Sequence, residues 1–191
     1  METQRSLQSR KDLPMRSGCH SAHSLAWTQV EYRDWVVAGG WSSKGLAQVR
    51  LVRSQSPEGI DLTLLPSCWT REKLWRYAID RFFASGDFGI PWDELDPTGW
   101  TLFQTSIRRV CFHIKPGSKW TYQQLATHAG YPKAARAAGR AMATNPIPLV
   151  IPCHRVVGAG SALTGYSAGD GIPTKMWLLD HEQRLDRARL S

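Results

Sequence analysis

Residues Thr121 to Thr144 read TYQQLATHAGYPKAARAAGRAMAT, and this stretch decides the fold of the second half of the chain. Thr121 suits the N-cap of a short helix running to about His128, because its hydroxyl can accept a bond from a free backbone amide of the first turn. Gly130-Tyr131-Pro132 makes a turn, and a further helix is expected from about Pro132 to Thr144. Upstream, Leu102 to Ile114 places Phe103, Ile107, Val110, Cys111 and Ile114 on one face, with Lys115-Pro116-Gly117 as its stop. A helix, a short helix, a glycine-containing turn and another helix form the helix-turn-helix pattern.

The last of these helices is almost bare of bulk. Ala134, Ala135, Ala137, Ala138, Gly139, Ala141 and Ala143 are small, while Lys133, Arg136 and Arg140 carry charge. Close helix packing explains small residues on one face. Here they occur all round, which favours a helix that lies against nucleic acid. The charge distribution points the same way. The chain has 24 Lys and Arg against 16 Asp and Glu, a net charge of +8. Between Pro97 and Gly169 there is no acidic residue but eight basic ones, so the rest of the chain is balanced and the whole excess lies in this stretch. Nucleic acid is the obvious polyanion for it, since each phosphate contact releases counterions. An anionic membrane surface calls for a denser basic cluster on an amphipathic helix.

The first half has a different texture. Trp35 to Ala38, Leu46 to Val52 and Ile60 to Leu65 suggest strands, punctuated by Gly39-Gly40 and by Ser42 to Gly45. A helix is expected from about Thr70 to Ser85, with Leu74, Trp75, Ala78, Ile79 and Phe82 as its apolar stripe and Gly86 as its stop. Nothing in this part carries visible chemistry, and it reads as scaffold. Residues 87–99 hold Gly89, Pro91, Pro97 and Gly99 and read as a linker. The expected division is a basic tail over 1–24, an α/β domain over 25–90, a linker over 91–98 and a chemical domain over 99–186. No run approaches the roughly 20 apolar residues a membrane span needs. The N-terminal residues are polar, so no secretory signal is expected. Cys19, Cys68, Cys111 and Cys153 are scattered, which argues against a disulfide framework. Cys19, His20 and His23 lack the spacing of a common zinc site, and no metal is expected. Cys111 falls on an apolar stripe and reads as core.

Pro152-Cys153-His154-Arg155-Val156 follows the apolar run from Ile147 to Ile151. A cysteine beside a histidine and an arginine is a candidate nucleophile, because neighbouring positive charge favours the thiolate. Its surroundings sharpen that reading. Tyr122-Gln123-Gln124-Leu125-Ala126, Ala134-Ala135-Arg136-Ala137, Asn145-Pro146-Ile147-Pro148, the pentapeptide with Ile151, Gly165-Tyr166-Ser167 and Leu178-Leu179-Asp180-His181-Glu182 occur in that order. The set resembles the O6-alkylguanine-DNA alkyltransferases, also called methylated-DNA–protein-cysteine methyltransferases. The resemblance is close over roughly residues 98 to 185; the N-terminal half shares only a general α/β layout.

This resemblance implies an α+β fold, with a small RNase H-like α/β domain followed by a mostly helical, winged-helix-like domain carrying the helix-turn-helix. It implies single-use DNA repair, in which the damaged guanine is flipped out of duplex DNA and Cys153 takes its alkyl group. His154 then corresponds to the general base acting through a bound water, Glu182 to the carboxylate that orients it, and Asn145 to the hinge behind the DNA helix. Tyr122 corresponds to the proton donor for the departing guanine. Arg136 matches the arginine that enters the space left by the flipped base, with a phosphate contact as its other reading. Lys133, Ala134, Ala135, Ala137, Gly139 and Arg140 match the DNA-facing surface. Tyr166 and Ser167 match the pocket wall, and Val156 and Met142 supply pocket surface or core. No cofactor is implied. The expected partner is double-stranded DNA containing alkylated guanine, and the expected state is a monomer in the cytoplasm or nucleoid, or in a nucleus.

The chain departs from the family at Ala168, where glycine is common, and over Asp170 to Thr174, which is about two residues longer. Both changes adjoin the pocket and bear on which alkyl groups fit. Other readings remain: a lesion sensor that flips the base but transfers nothing, a Cys-His hydrolase, and a plain transcription factor. Sensors resembling this family lack the acceptor cysteine, so Cys153 speaks against that reading. A hydrolase gives no reason for the helix-turn-helix, and a transcription factor none for Cys153, His154 and Glu182.

Overall fold

A computed structural model describes residues 25–54 and 69–190. The tail, Cys19, His20, His23, Cys68 and the strand expected over Ile60 to Leu65 lie outside the described residues. Three antiparallel strands, β1 (Ala26–Tyr32), β2 (Trp35–Trp41) and β3 (Leu46–Arg53), form one sheet in the order β1-β2-β3. Strand β1 was not expected from the sequence. Its alternation is broken because Thr28 faces inward, where its hydroxyl accepts a 3.0 Å bond from the Trp41 indole.

Helix α1 (Trp69–Ser85) packs on the sheet. Its buried stripe is Trp75, Ala78, Ile79, Phe82 and Phe83; four of these are the expected residues, while Phe83 takes the place of Leu74, which is half exposed. Trp75 lies under the sheet and donates to the Val37 carbonyl at 3.0 Å. Its indole runs so close to Gly39 that a Cβ there would sit 3.1 Å from the ring.

The segment read as a linker is docked onto the sheet. Phe88, Ile90, Leu95 and Asp96 are buried, Leu95 bridges Leu46, and the Asp96 amide donates to the Leu46 carbonyl at 2.9 Å. Beyond it come α2 (Leu102–Phe112), β4 (Trp120–Thr121), α3 (Tyr122–His128), α4 (Ala135–Ala143), β5 (Val156–Val157) and α5 (Ile172–Leu190). The result is a mixed α/β structure with two small sheets and five α-helices among the described residues. Thr101 and Thr121 each close a capping box with the glutamine three residues on, which fixes where α2 and α3 begin. The parallel pair β4–β5 joins Trp120 to Val156, so the start of α3 is tied directly to the segment after Cys153. One apolar cluster runs without a break from Val30 and Trp75 to Ile147, Cys153 and Leu178. No helix among the described residues is long and apolar enough to cross a membrane.

Candidate active site

Cys153 opens a single 3-10 turn, Cys153–Arg155, and its side chain is buried. The chain reaches it through a tight loop in which Ile151 N bonds the Ile147 carbonyl and Leu149 takes a φ of 72°. A branched side chain in left-handed backbone is strained, and such strain persists where surrounding contacts impose the conformation. Asn145 supplies those contacts. Its Oδ1 accepts from Ile147 N at 3.1 Å, and its Nδ2 donates to the Ile151 carbonyl at 2.9 Å and to Cys153 Sγ at 3.3 Å. Asn145 follows directly on the end of α4, and its hydrogen bond joins that end to the thiol.

Behind the cysteine lies a buried charge cluster. His154 Nε2 donates to Glu182 Oε1 at 2.8 Å, which leaves the Nδ1 lone pair as the basic site. Nδ1 is buried with no hydrogen-bond partner among the described residues. Arg155 grips the same carboxylate through Nε, at 3.1 Å to both oxygens, and through Nη2 at 2.8 Å, and Gly117 N donates to Oε2 at 3.1 Å. The rest of the guanidinium is spent on the Ile114 and Gly86 carbonyls, at the ends of α2 and α1. Gly86 has φ 77°, and a Cβ there would meet Pro116 Cβ at 2.6 Å, so only glycine brings that carbonyl in.

The electrostatics follow from this arrangement. Burial opposes a charge on Glu182, but His154 and Arg155 outweigh it and its carboxyl falls to about 2. Burial lowers His154 against the pull of Glu182, so the ring is neutral and able to take a proton. Burial also pushes the Cys153 thiol up, partly offset by the Asn145 bond and by Lys175 and Arg108. At rest Cys153 is therefore a thiol that needs a base to ionise, not a standing thiolate.

Tyr122 lies beside this cluster, its ring under Gly139 of α4, where a Cβ would stand 3.8 Å from it. Its hydroxyl donates to the Thr164 carbonyl at 3.5 Å, at the outer limit of a hydrogen bond. Tyr166 has its hydroxyl enclosed, whereas Ser167 is exposed. Val156 and Met142 are both buried, in β5 and on the inward face of α4. On α4, Ala138, Ala141 and Met142 turn inward, while Arg136 and Arg140 are exposed, as is Lys133 just before it. The small residues thus divide between packing and surface.

Three functional groups went unread in the sequence: Arg108, Lys175 and the role of Arg155. Lys175 is fully buried, and its Nζ donates to the Val156 carbonyl at 2.6 Å and the Thr164 carbonyl at 3.1 Å. It thereby bridges the Cys153 segment to the loop that also receives Tyr122. A signal did exist, since Lys175, Leu178, Leu179 and Glu182 follow helical spacing and put a cation and an anion on an apolar face. Two of the eight basic residues in the acid-free stretch, Arg108 and Arg155, are buried and hold the structure together.

A family model described as 6-O-methylguanine DNA methyltransferase, DNA binding domain, matches residues 102–184. The methylated-DNA–protein-cysteine methyltransferase of Methanosarcina acetivorans is 39% identical over 122 residues, 62% of this chain and 76% of that protein. The Rattus norvegicus protein of the same name is 55% identical over 69 residues, 36% of this chain and 32% of its own length. That of Salmonella typhimurium is 47% identical over 85 residues, 44% and 48%. The chain thus spans about a third to a half of the length of the rat and Salmonella relatives. Among solved structures, Mycobacterium tuberculosis OGT in complex with DNA aligns with a TM-score of 0.68 at 28% identity, covering 84% of this chain and 94% of that one. With the Cys153, His154 and Glu182 cluster assembled on such a fold, the chain belongs to the methylated-DNA–protein-cysteine methyltransferase family.

Proposed function

We propose that this protein repairs DNA by moving the alkyl group of O6-alkylguanine, with O4-alkylthymine as a second candidate substrate, onto Cys153 in a single irreversible event. One observation carries the reading: a buried thiol bonded to Asn145 at the end of a basic helix, with a neutral His154 held by an ionised Glu182 beside it. In this reading α3 and α4 act as a helix-turn-helix on duplex DNA, within a winged-helix-like domain that follows an RNase H-like one. Arg136 and Arg140 face the strand, and the damaged base turns out of the stack into the space walled by Tyr166 and Ser167.

The chemistry then balances as one displacement. His154 Nδ1 takes the thiol proton through an intervening water, and Glu182 steadies the imidazolium that results. Sγ forms a bond to the alkyl carbon as the bond from that carbon to O6 breaks, and the departing guanine receives a proton from the Tyr122 hydroxyl. Nothing removes the thioether, so one molecule serves one lesion.

Incubation with a duplex carrying O6-methylguanine should add about 14 mass units, one methylene, to the Cys153 peptide, the covalent capture expected of a cysteine nucleophile. Cys153→Ala should lose all transfer and still bind the duplex. Bound DNA without an adduct on the unaltered protein would replace this reading with that of a lesion sensor.

A further inference from the structure

Arg108 on α2 is 2% exposed, and no carboxylate pairs with it among the described residues. A buried cation without a counter-ion is costly unless dipoles replace its water. Here they come from one place. Nη2 donates to the Thr144 carbonyl at 2.7 Å, to Thr144 Oγ1 at 3.3 Å and to the Ala141 carbonyl at 3.4 Å, while the guanidinium lies 4.6 Å from the Trp100 ring centre. Those oxygens belong to the last turn of α4, where helix carbonyls lack intrahelical partners and carry partial negative charge.

We propose that Arg108 is a positioning residue that clamps the C-terminal end of α4 and thereby sets the Asn145 amide against the Cys153 sulfur. This inference rests on the reading of α4 as the DNA-facing helix and of Cys153 as the acceptor. The path is short. Thr144, which Arg108 holds, is followed directly by Asn145, whose Nδ2 stands 3.3 Å from Sγ. An open groove of about 300 Å3, lined by Asp96, Trp100, Gln104, Arg108, Thr144 and Pro146 among others, adjoins the clamp; the Asp96 carboxylate there bonds Ser42 and Thr98, not Arg108. The end of α4 therefore has room to shift once the guanidinium is gone. Because Arg136 and Arg140 ride on the same helix, the clamp links the surface that holds DNA to the environment of the thiol.

The test uses the full chain with Arg108→Met and Arg108→Lys, at a temperature where circular dichroism shows each variant folded. One arm follows iodoacetamide modification of the Cys153 peptide against pH by mass spectrometry. The groups that act on the thiol there are Arg108 and Cys111 of α2, Tyr122, Tyr166 and Lys175, with His154 as its sequence neighbour. The other arm measures affinity for an undamaged duplex by fluorescence anisotropy.

For Arg108→Met the alkylation midpoint should move to higher pH, and duplex affinity should fall about ten-fold, the loss typical of a hydrogen bond made by a charged donor. Arg108→Lys, which keeps the charge but not the planar face over Trp100, should restore the midpoint and recover only part of the affinity. A folded Arg108→Met protein that loses thermal stability alone, with midpoint and affinity unchanged, overturns the proposal. Should that variant not fold, Trp100→Leu removes the stacked face and should shift both readouts in the same direction to a smaller extent; no shift there overturns it as well. Iodoacetamide needs no repair activity. Unaltered protein inert toward O6-methylguanine would sink the repair reading while the clamp stood or fell on its own arm.

Discussion

The interior around the three-stranded sheet is built from aromatic rings, whereas the interior around Cys153 is built from charges. In the first region Trp35, Trp41, Trp75, Phe82 and Phe88 pack edge-on or tilted, and Thr28 is the one buried polar side chain among the described residues up to position 90. In the second, Arg108, Asn145, His154, Arg155, Lys175 and Glu182 are all buried. Apolar burial stabilises at about 25 cal/mol per Å2 with no demand on partners. Buried charge at best breaks even and fails badly when one partner is lost. Four of these six groups carry charge, all lie beyond position 100, and in the proposed function they surround the acceptor thiol, while the first half is held by apolar packing.

The largest test of that contrast is Glu182→Gln. The amide still fills the space, but it leaves Arg155 buried without its counter-ion. Stability should drop by about 3–5 kcal/mol, and the rate with O6-alkylguanine should fall about 10²–10⁴-fold with the general base disabled. Chemical denaturation and single-turnover kinetics read the two losses. Acid does the same work without mutation. Glu182 is depressed in the fold, so its contribution is complete above its ordinary value of 4.5 and is lost as the pH falls toward about 2. His154 is buried neutral, so below its ordinary value of 6.5 the unfolded chain gains a proton that the fold resists. Stability should decline in two stages from neutral pH downward, and the lower stage should shrink in Glu182→Gln to what Asp87 and Asp96, also depressed by their hydrogen bonds, still contribute. A flat profile between pH 6.5 and 2 would contradict the buried cluster.

Trp75→Ala probes the other side of the comparison. It should cost about 3–5 kcal/mol, as large-to-small changes in a packed core do. The folded fraction should retain its reaction rate with free O6-benzylguanine. A rate that fell in step with stability would mean that the aromatic half shapes the site and does not merely carry it. Arg136→Ala should have the smallest effect on the fold, within about 0.5 kcal/mol for an exposed side chain. It should still slow repair in duplex about ten-fold, on the scale of one lost charged contact, and spare the free base. Equal losses on both substrates would remove Arg136 from the DNA surface.

Local rules carried most of the elements. Thr121 as N-cap and the turn at Gly130 are decided by neighbours within four residues and stand where the sequence puts them, whereas α2 ends at Phe112, two residues before the expected Ile114, and α4 begins at Ala135, three residues after the expected Pro132. The misreadings have a common cause. Strand β1 hides behind Thr28, whose inward hydroxyl is explained only by an indole thirteen residues away. Leu74 and Trp75 are equally apolar, and only docking against the sheet decides that Trp75 turns in. The linker composition of residues 87–99 carries no sign that Leu95 and Asp96 bond across to Leu46.

The same division holds for the site. Sequence by itself picked out Cys153 as a candidate nucleophile, His154, Glu182 and the basic helix, because these are marked by residue type and order along a chain that resembles one family, and the structure sets His154 on Glu182. Tertiary structure alone decided which cations lie exposed to meet a partner and which serve the fold. Arg136, Arg140, Arg108 and Arg155 are the same letter in the same acid-free stretch, yet two lie in solvent and two lie buried against helix ends. A guanidinium's role is set by the dielectric and the oxygens around it, and those come from residues far away in the chain.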